Sequence, residues 1–372
     1  MNEIKVLFDH QCFVQQQFGG VSRYHYHLIR ELNRMKNVEA KLSLKYSNNF
    51  YINEDKTFKV NRFFPGKKLY FKRTILDYLN RYVTNHELKR GAFNLFHPTY
   101  YNPYFLKLLG SKPFVVTVYD MIHEIYPEIS NAIDKTLIYK KEIIARASVI
   151  IAISESTKAD LMRLYKVPAE KIEVVYLASS ISKDMSSENI RKKLPRKYLL
   201  YVGNRNFYKN FKTLLLAIEN ILRTDKDLFL IIAGGEKISP EELKLFSEKD
   251  IQNKVIHFPA DDFTLATLYT NAIAFVFPSL YEGFGIPALE AMNCDCPVIL
   301  SNRSSLPEVG GDAALYFDPE NIDDIREKIL ILISDTELRQ QQIKRGINQR
   351  EKFSYSKTAF ETLNIYEKLL NR

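Results

Sequence analysis

Several features are missing from this 372-residue chain, and each absence narrows its class. No apolar run approaches the roughly 18 residues of a membrane-spanning helix. Three cysteines, Cys12, Cys294 and Cys296, are too few for a disulfide framework. The Cys294-Asp295-Cys296 string lacks the second ligand pair of a zinc site, so both thiols read as small buried residues beside a strand, and no metal site is expected. There is no short-period repeat and no low-complexity tract. The first apolar strand is followed by Phe18-Gly19-Gly20-Val21, not by the G-x-G-x-x-G turn that a nicotinamide dehydrogenase would want. The opening MNEIKVLFDH enters a buried-strand pattern at once; no signal peptide is expected, and the expected location is the cytoplasm.

What is present is a globular composition, 46% hydrophobic and 26% charged, with length enough for two domains that each bury a core. The formal net charge of +9 favours acidic partners. It concentrates in KVNRFFPGKKLYFKR, Lys59 to Arg73, where six basic residues and no acidic ones interleave with Phe63, Phe64, Tyr70 and Phe71. Rings at headgroup level and cations on phosphates would suit an anionic membrane surface. A solvated loop and helix edge with its rings turned inward accounts for the same residues equally well. Single-stranded nucleic acid would also accept such a string, but nucleic acid is not expected as a partner.

Strand and helix patterns alternate along both halves. Ile4–Phe8, Asn94–Pro98, Phe114–Asp120, Ser148–Ser154 and Val174–Ala178 are short apolar runs, with a helix predicted over Val21–Met35 and another opening at a Ser154 cap. A polar stretch from Ser179 to Lys197 then intervenes. The second series runs through Tyr198–Gly203, a helix at Asn210–Leu222, Leu228–Gly235, Val255–Ala260, Ala272–Ser279 and Pro297–Asn302. Continuous rather than alternating apolar runs are what parallel sheets covered on both faces require. The expected fold class is α/β, two Rossmann-like doubly wound domains facing a cleft: residues 1–182, a linker at 183–197, and 198–354.

LYEGFGIPALEAM, Leu280 to Met292, carries the most chemistry. A buried strand ends at Pro278, a loop carries Glu282-Gly283-Phe284-Gly285, and Pro287 suits the first turn of a helix starting near Ile286. Glycines let backbone approach a ligand closely, and a helix start offers N–H groups and a favourable dipole to phosphate. A carboxylate touching phosphate would repel it, whereas one accepting hydrogen bonds from hydroxyls would not. Glu282 and Glu290 therefore could grip the two sugars on either side of a diphosphate; the plain alternative is a loop charge and an exposed helix residue. Arg205 and Lys209, in GNRNFYKNF after the Tyr198–Gly203 strand, suit a departing diphosphate or are two more surface cations. In the first half Gly19-Gly20 offers flexible backbone. Asp120 and His123, in VYDMIHEIYPE, are candidates for contacting a reacting sugar, or a helix cap and a satisfied histidine; His97 ends another strand.

Taken together these residues resemble the retaining glycosyltransferases of family 4, with the GT-B fold. The pattern matches in order: the Gly-Gly loop, the aspartate after Phe114–Tyr119, Ile153-Ser154-Glu155-Ser156, Gly203 to Asn210, and above all Pro278 to Pro319. The resemblance covers nearly the whole chain, and implies that the helix at 355–372 packs back on the first domain. It implies hexose transfer from a nucleoside-diphosphate sugar, GDP- or UDP-linked with mannose favoured, to a glycan or lipid-linked acceptor in surface-polysaccharide synthesis, with retention and without metal or cofactor. Glu282 would bind the donor sugar, Phe284 and Gly285 amides would face the diphosphate with Gly283 and Ile286 beside them, and Glu290 would hold the ribose. Arg205 and Lys209 would stabilise the leaving diphosphate near Asn204, His257 and Phe258 would flank the base, and Gly19 and Gly20 would approach from the other domain.

Two departures stand out. Many relatives have His where this chain has Tyr119, a role His123 would partly take over. Many have Gly where this chain has Asp295, at a position that wants a left-handed backbone, which Asp tolerates. The rival readings are a nucleotide-sugar epimerase of the same fold and a non-catalytic scaffold binding lipid or RNA through Lys59–Arg73.

Overall fold

The protein is described from a computed structural model that covers residues 3–67, 69–129, 135–205, 207–259 and 261–371. Lys68, Asn206 and Ala260, which fall in stretches quoted above, lie outside the described residues. The chain divides into two compact units, Met1–Leu177 with Ser354–Arg372, and Ala178–Phe353.

In the first unit, β1 (Ile4–Phe8), β2 (Val38–Leu42) and β3 (Leu95–His97) form a parallel sheet in the order β2-β1-β3. A second parallel sheet has β4 (Val115–Val118), β5 (Val149–Ala152) and β6 (Ile172–Val174) in that order. A single parallel bridge, Phe96 to Phe114, joins them, giving the succession 2-1-3-4-5-6. Every residue of β4 and β5 is buried, which is why those runs read as unbroken apolar strings.

The second unit has one six-stranded parallel sheet built from β7 (Lys197–Val202), β8 (Leu228–Ala233), β9 (Val255–Phe258), β10 (Ala274–Phe277), β11 (Val298–Ser301) and β12 (Ala314–Phe317). Its order, β12-β11-β10-β7-β8-β9, is the 3-2-1-4-5-6 succession of dinucleotide-binding folds, with the reversal between β7 and β10. Leu214, Leu215, Ile218 and Leu222 of the helix Phe211–Thr224 pack on this sheet, with Ile325, Ile329 and Leu332 of the helix Ile322–Ser334 in the same core. The segment expected as a linker lies within this unit, where the Ser187 N–H donates to Thr267 Oγ1 at 2.8 Å.

Most strand positions agree with the apolar runs, trimmed by a residue or two. One does not. The run Val174–Ala178 is not the strand; β6 ends at Val174, where its pairing with β5 stops at Ala152. A last hydrogen bond from Val175 N to Ala152 O closes the ladder, and Val175, Leu177 and Ala178 are buried outside it. Apolar burial and ladder pairing had the same sequence appearance there. The helix predicted from Val21 begins at Gly20 and ends at Leu32. Ser154 caps Glu155–Tyr165 as expected, its side chain accepting from Thr157 N. Asp295 has a φ of 55°, the left-handed backbone expected of it, and its carboxylate meets Lys183 at 3.0 Å and Arg350 at 2.9 Å.

The helix Tyr355–Leu370 belongs to the first unit and is tied there by polar contacts as well as by burial. The Tyr366 hydroxyl lies 2.6 Å from His97 Nδ1, while His97 Nε2 lies 3.0 Å from Thr117 Oγ1. Tyr355 stacks on His27 at 3.9 Å. His97 is fully buried, and burial lowers its pKa to about 3; His25, its ring neighbour at 5.4 Å, is lowered by burial and then by His97. The folded chain thus keeps both rings neutral while the unfolded chain protonates them below about 6.5. Between that pH and the folded values the unfolded state binds more protons, so stability falls as pH falls, by on the order of 1 kcal/mol per pH unit for each such histidine. The expected outcome is a thermal midpoint lower at pH 5 than at pH 7; a midpoint unchanged across that range would mean that these rings are not held neutral.

Candidate functional site

At the reversal between β7 and β10 two loops meet. β10 ends at Phe277 and continues through the buried Ser279 to Leu280, whose N–H donates to Tyr208 O at 2.7 Å. This brings Lys209, from the loop after β7, to Glu282: Nζ and Oε1 are 2.6 Å apart, with side chains 14% and 10% exposed. The same ammonium lies over the rings of Tyr208, at 5.2 Å, and Phe277, at 5.4 Å. A cation and a carboxylate are therefore held in contact, largely out of water, at the carboxyl ends of the strands on either side of the reversal.

The loop behind Glu282 is fixed through its backbone. The Glu282 N–H donates to Ser304 Oγ at 2.9 Å, and Ser305 Oγ donates to the carbonyls of Glu282, at 2.9 Å, and Phe284, at 2.8 Å. Gly285 then starts the helix Ile286–Asn293 from a φ of 101°, and a Cβ there would lie 2.7 Å from Leu306 Cδ2. Glycine is needed on both counts. Gly283 and the buried Phe284 precede it, and Pro287 sits in the first turn, where its missing N–H costs nothing. Glu290 is buried within this helix and accepts from the Tyr269 hydroxyl at 3.2 Å. Neither glutamate is the exposed charge of the plain alternative.

The loops after β7, β8 and β9 also converge. Gly203 N donates to Ala233 O at 2.9 Å, and a Cβ on Gly235 would lie 2.9 Å from Gly203 O. His257 Nε2 is 3.2 Å from Gly234 O, and Phe258 O accepts from Gly234 N at 3.3 Å. Asn204 is exposed, and its carbonyl accepts from the Tyr201 hydroxyl. Arg205 is turned towards the helix Pro240–Glu248: its Nε and Nη2 are paired with Glu242, and Nη2 also donates to the carbonyls of Glu236, at 2.9 Å, and Lys237, at 3.1 Å. Burial opposes ionisation of Glu242, but the hydrogen bond from Arg205 leads the effects that hold its pKa below the ordinary carboxylate value. Buried Nη1 is the part of this guanidinium left without a protein partner among the described residues. The structure thus joins Lys209 to Glu282, and Arg205 to Glu242.

In the first unit Gly19 is extended and caps the helix Gly20–Leu32, where Gln16 Oε1 accepts from Ser22 N at 3.0 Å. Asp120 follows β4; its Oδ1 accepts from Ile122 N at 3.1 Å and its carbonyl from the buried Lys140 ammonium. His123 sits half-buried on the short helix Ile122–Ile125. Tyr119, the residue before Asp120, is buried with its hydroxyl 2.6 Å from His25 Nε2. His25 was not singled out in the sequence, and neither were Glu242, Tyr269, Ser304 and Ser305. Each lies 21 to 94 positions from its partner; Ser304 and Ser305 fall within the Pro278–Pro319 stretch, where the spacing does not show what they hold. Among the described residues no three His, Cys, Asp or Glu side chains gather as a metal site would require.

The two units, each doubly wound, have the architecture of GT-B proteins. Residues 182–349 match the family of glycosyl transferases group 1, and residues 18–178 match glycosyltransferase family 4. The chain belongs to these glycosyltransferases. It is similar to the O-antigen chain mannosyltransferase B of Escherichia coli, 34% identical over 61% of this chain and 62% of that one. It is also similar to the O-antigen chain mannosyltransferase RfbU of Salmonella typhimurium, 30% identical over 55% and 57%. The matched stretch therefore spans about three fifths of each relative. Among solved structures, a sucrose-phosphate synthase from Thermosynechococcus elongatus shares the fold over 100% of both chains with a TM-score of 0.77 at 21% identity. Anabaena Alr3699/HepE, solved with UDP and glucose, shares it over 98% of this chain and 100% of that one, with a TM-score of 0.72 at 15% identity.

If the ion pair carries weight in the fold, removing either partner strands a largely buried charge. Lys209→Gln and Glu282→Ala are each expected to destabilise the protein by about 3 kcal/mol, at the low end for buried pairs because both side chains keep some exposure. The double variant should lose less than the sum of the two, measured by denaturant unfolding; additive losses would show that the groups do not interact.

Proposed function

We propose that the protein transfers a hexose, mannose favoured, from a nucleoside-diphosphate sugar to a glycan or lipid-linked acceptor in surface-polysaccharide synthesis, with retention at the anomeric carbon and without a metal. The observation that carries this reading is the Lys209–Glu282 pair at the strand-order reversal, beside a helix start opened by Gly285. Glu282 accepts hydrogen bonds from donor-sugar hydroxyls, and Lys209 moves from carboxylate to diphosphate as negative charge develops on the leaving group. Amides at the start of Ile286–Asn293 meet the diphosphate, and Glu290 holds the ribose. Arg205 adds its Nη1, which has no protein partner among the described residues, with Glu242 fixing its other edge. Same-face transfer, the leaving phosphate assisting the acceptor's deprotonation, gives retention without a protein nucleophile. The mannosyltransferase names of the two bacterial relatives support the sugar, and the UDP complex of the Anabaena neighbour supports a nucleotide in this fold.

The decisive measurement is a thermal-shift screen against GDP, UDP, dTDP and ADP. One nucleotide at about 100 times its dissociation constant adds roughly 2.7 kcal/mol, a visible shift. Glu282→Gln is expected to lower transfer at least about 100-fold while the fold persists. A variant with ordinary turnover would remove Glu282 from the transfer machinery, and a protein that no nucleotide stabilises would leave the scaffold reading in place of the transferase.

The acceptor's lipid would place the protein on the inner membrane face. No helix among the described residues is long and apolar enough to cross a membrane. Support for a surface contact comes from the helix Lys72–Arg90 and its preceding residue: Phe71, Ile75, Tyr78 and Tyr82 are all exposed. At 3.6 residues per turn they fall within about 60° of arc. The same segment carries Lys67, Lys72 and Arg73, and rings with cations are the pairing that an anionic bilayer selects. Co-sedimentation with phosphatidylglycerol vesicles should occur, weaken with salt, and be lost in Tyr78→Ala/Tyr82→Ala; retention by phosphatidylcholine alone would contradict it.

A further inference from the structure

On another side of that helix the first unit has a cavity of about 550 Å³, within the range of small-molecule sites. Residues from four stretches line it: 13–18, 48–54, 62–67 and 72–76. Arg73 and Leu76 reach it from positions about 100° or more around the helix from the exposed stripe of Phe71, Ile75, Tyr78 and Tyr82, and Lys72 from about 60°. Cavity and stripe are therefore separate features of one basic–aromatic segment.

The lining has three chemical parts. Phe18 and Phe50 are stacked at 5.0 Å and 29° on its border, and they remain 61% and 43% exposed. A stacked pair left in water keeps an outer ring face open as an apolar platform. Next to them is a set of amides. Gln16, Asn48, Asn49 and Asn53 are occupied with backbone groups, but the side chains of Gln15 and Gln17 have no protein partner among the described residues. Opposite are four cations and one carboxylate. Arg62 is neutralised by Glu54 at 2.9 Å, and Lys72 donates to the carbonyls of Phe64 and Lys67. Lys67, over the Phe64 ring, and Arg73 keep their charge without a carboxylate among the described residues.

A platform for an apolar ring face, free amides for hydroxyls, and uncompensated cations for an anion describe one kind of ligand. We infer that this cavity receives a phosphate-bearing carbohydrate, its pyranose face on Phe18 and Phe50 and its phosphate at Lys67 and Arg73. The assignment rests on the transferase reading above, in which such a ligand is the head of the acceptor. A bilayer would meet a convex apolar surface and has little use for amide groups in a concavity. An inorganic anion would need the cations but not the rings.

The test is calorimetric titration of the full chain with mannose 1-phosphate, methyl α-mannoside and inorganic phosphate. Mannose 1-phosphate is expected to bind at least about tenfold more tightly than either fragment. Lys67→Gln/Arg73→Gln should remove the gain over methyl mannoside, and Phe18→Ala/Phe50→Ala the gain over phosphate; all four side chains are exposed or at the border, so folding is not at stake. Equal binding by wild type and both double variants would overturn the assignment, since the ligand would then sit elsewhere. So would inorganic phosphate binding as tightly as the sugar phosphate. Capture of phosphatidylglycerol vesicles through Phe18 and Phe50, with no affinity for mannose 1-phosphate, would overturn it in favour of a membrane contact. The nucleotide-induced thermal shift of the same preparations reports the donor site independently, so failure here and failure of the transferase reading are told apart.

Discussion

The contact between Lys209 and Glu282 is the interaction around which the second unit's polar end is arranged. Parallel strands all deliver their carboxyl ends to one edge of a sheet, and where strand order reverses there is room outside those ends. Here that room holds opposite charges, set among Tyr208 and Phe277. A desolvated ion pair contributes little net stability compared with apolar residues of the same volume. Its presence is understood better as charge kept ready in a poorly hydrated place, where an electrostatic interaction is strong and a competing anion or hydroxyl is strongly felt. Ser304 and Ser305 complete the arrangement by holding the Glu282 backbone, so the side chain leaves a fixed point and its carboxylate meets Lys209.

Much of this was legible because it is local. A buried parallel strand announces itself in four or five consecutive residues, and Gly285 followed by Pro287 announces a helix start within three. Asp295 was legible for the same reason: its conformation is a property of one residue and its neighbours. What escaped was long-range. Nothing in the string around Arg205 points to Glu242, and nothing around Tyr119 points to His25, 94 positions away. The histidine that meets Tyr119 comes from the helix Gly20–Leu32, far from the Asp120 stretch in sequence. The strand run at Val174–Ala178 misled differently, since burial without a pairing partner reads the same as burial with one.

The basic–aromatic stretch shows how one composition can be divided by geometry. Read linearly, Lys59 to Arg73 offered a membrane surface or a solvated edge equally, with nucleic acid not expected. Once its later part winds into the helix Lys72–Arg90, neighbours in sequence part company: Phe71 turns outward, while Arg73 turns to a cavity whose other wall is Phe18 and Phe50. Periodicity separates what composition lumps together.

The second unit is an insertion within the first, since Ser354–Arg372 completes what Met1–Leu177 begins. The strands β1 to β6 therefore leave the ribosome well before Tyr366 exists, and His97 waits for its hydroxyl partner through the synthesis of an entire unit. The inserted unit is contiguous and needs nothing from elsewhere in the chain to close its sheet. Assembly is thus ordered from the inside out: the guest can be finished while its host is still open. A compact guest also reduces the slack that the closing helix must recover, because chain already folded no longer adds to the loop. In this topology the protein's midsection acts as a timer, and the first unit is the last part of the molecule to become itself.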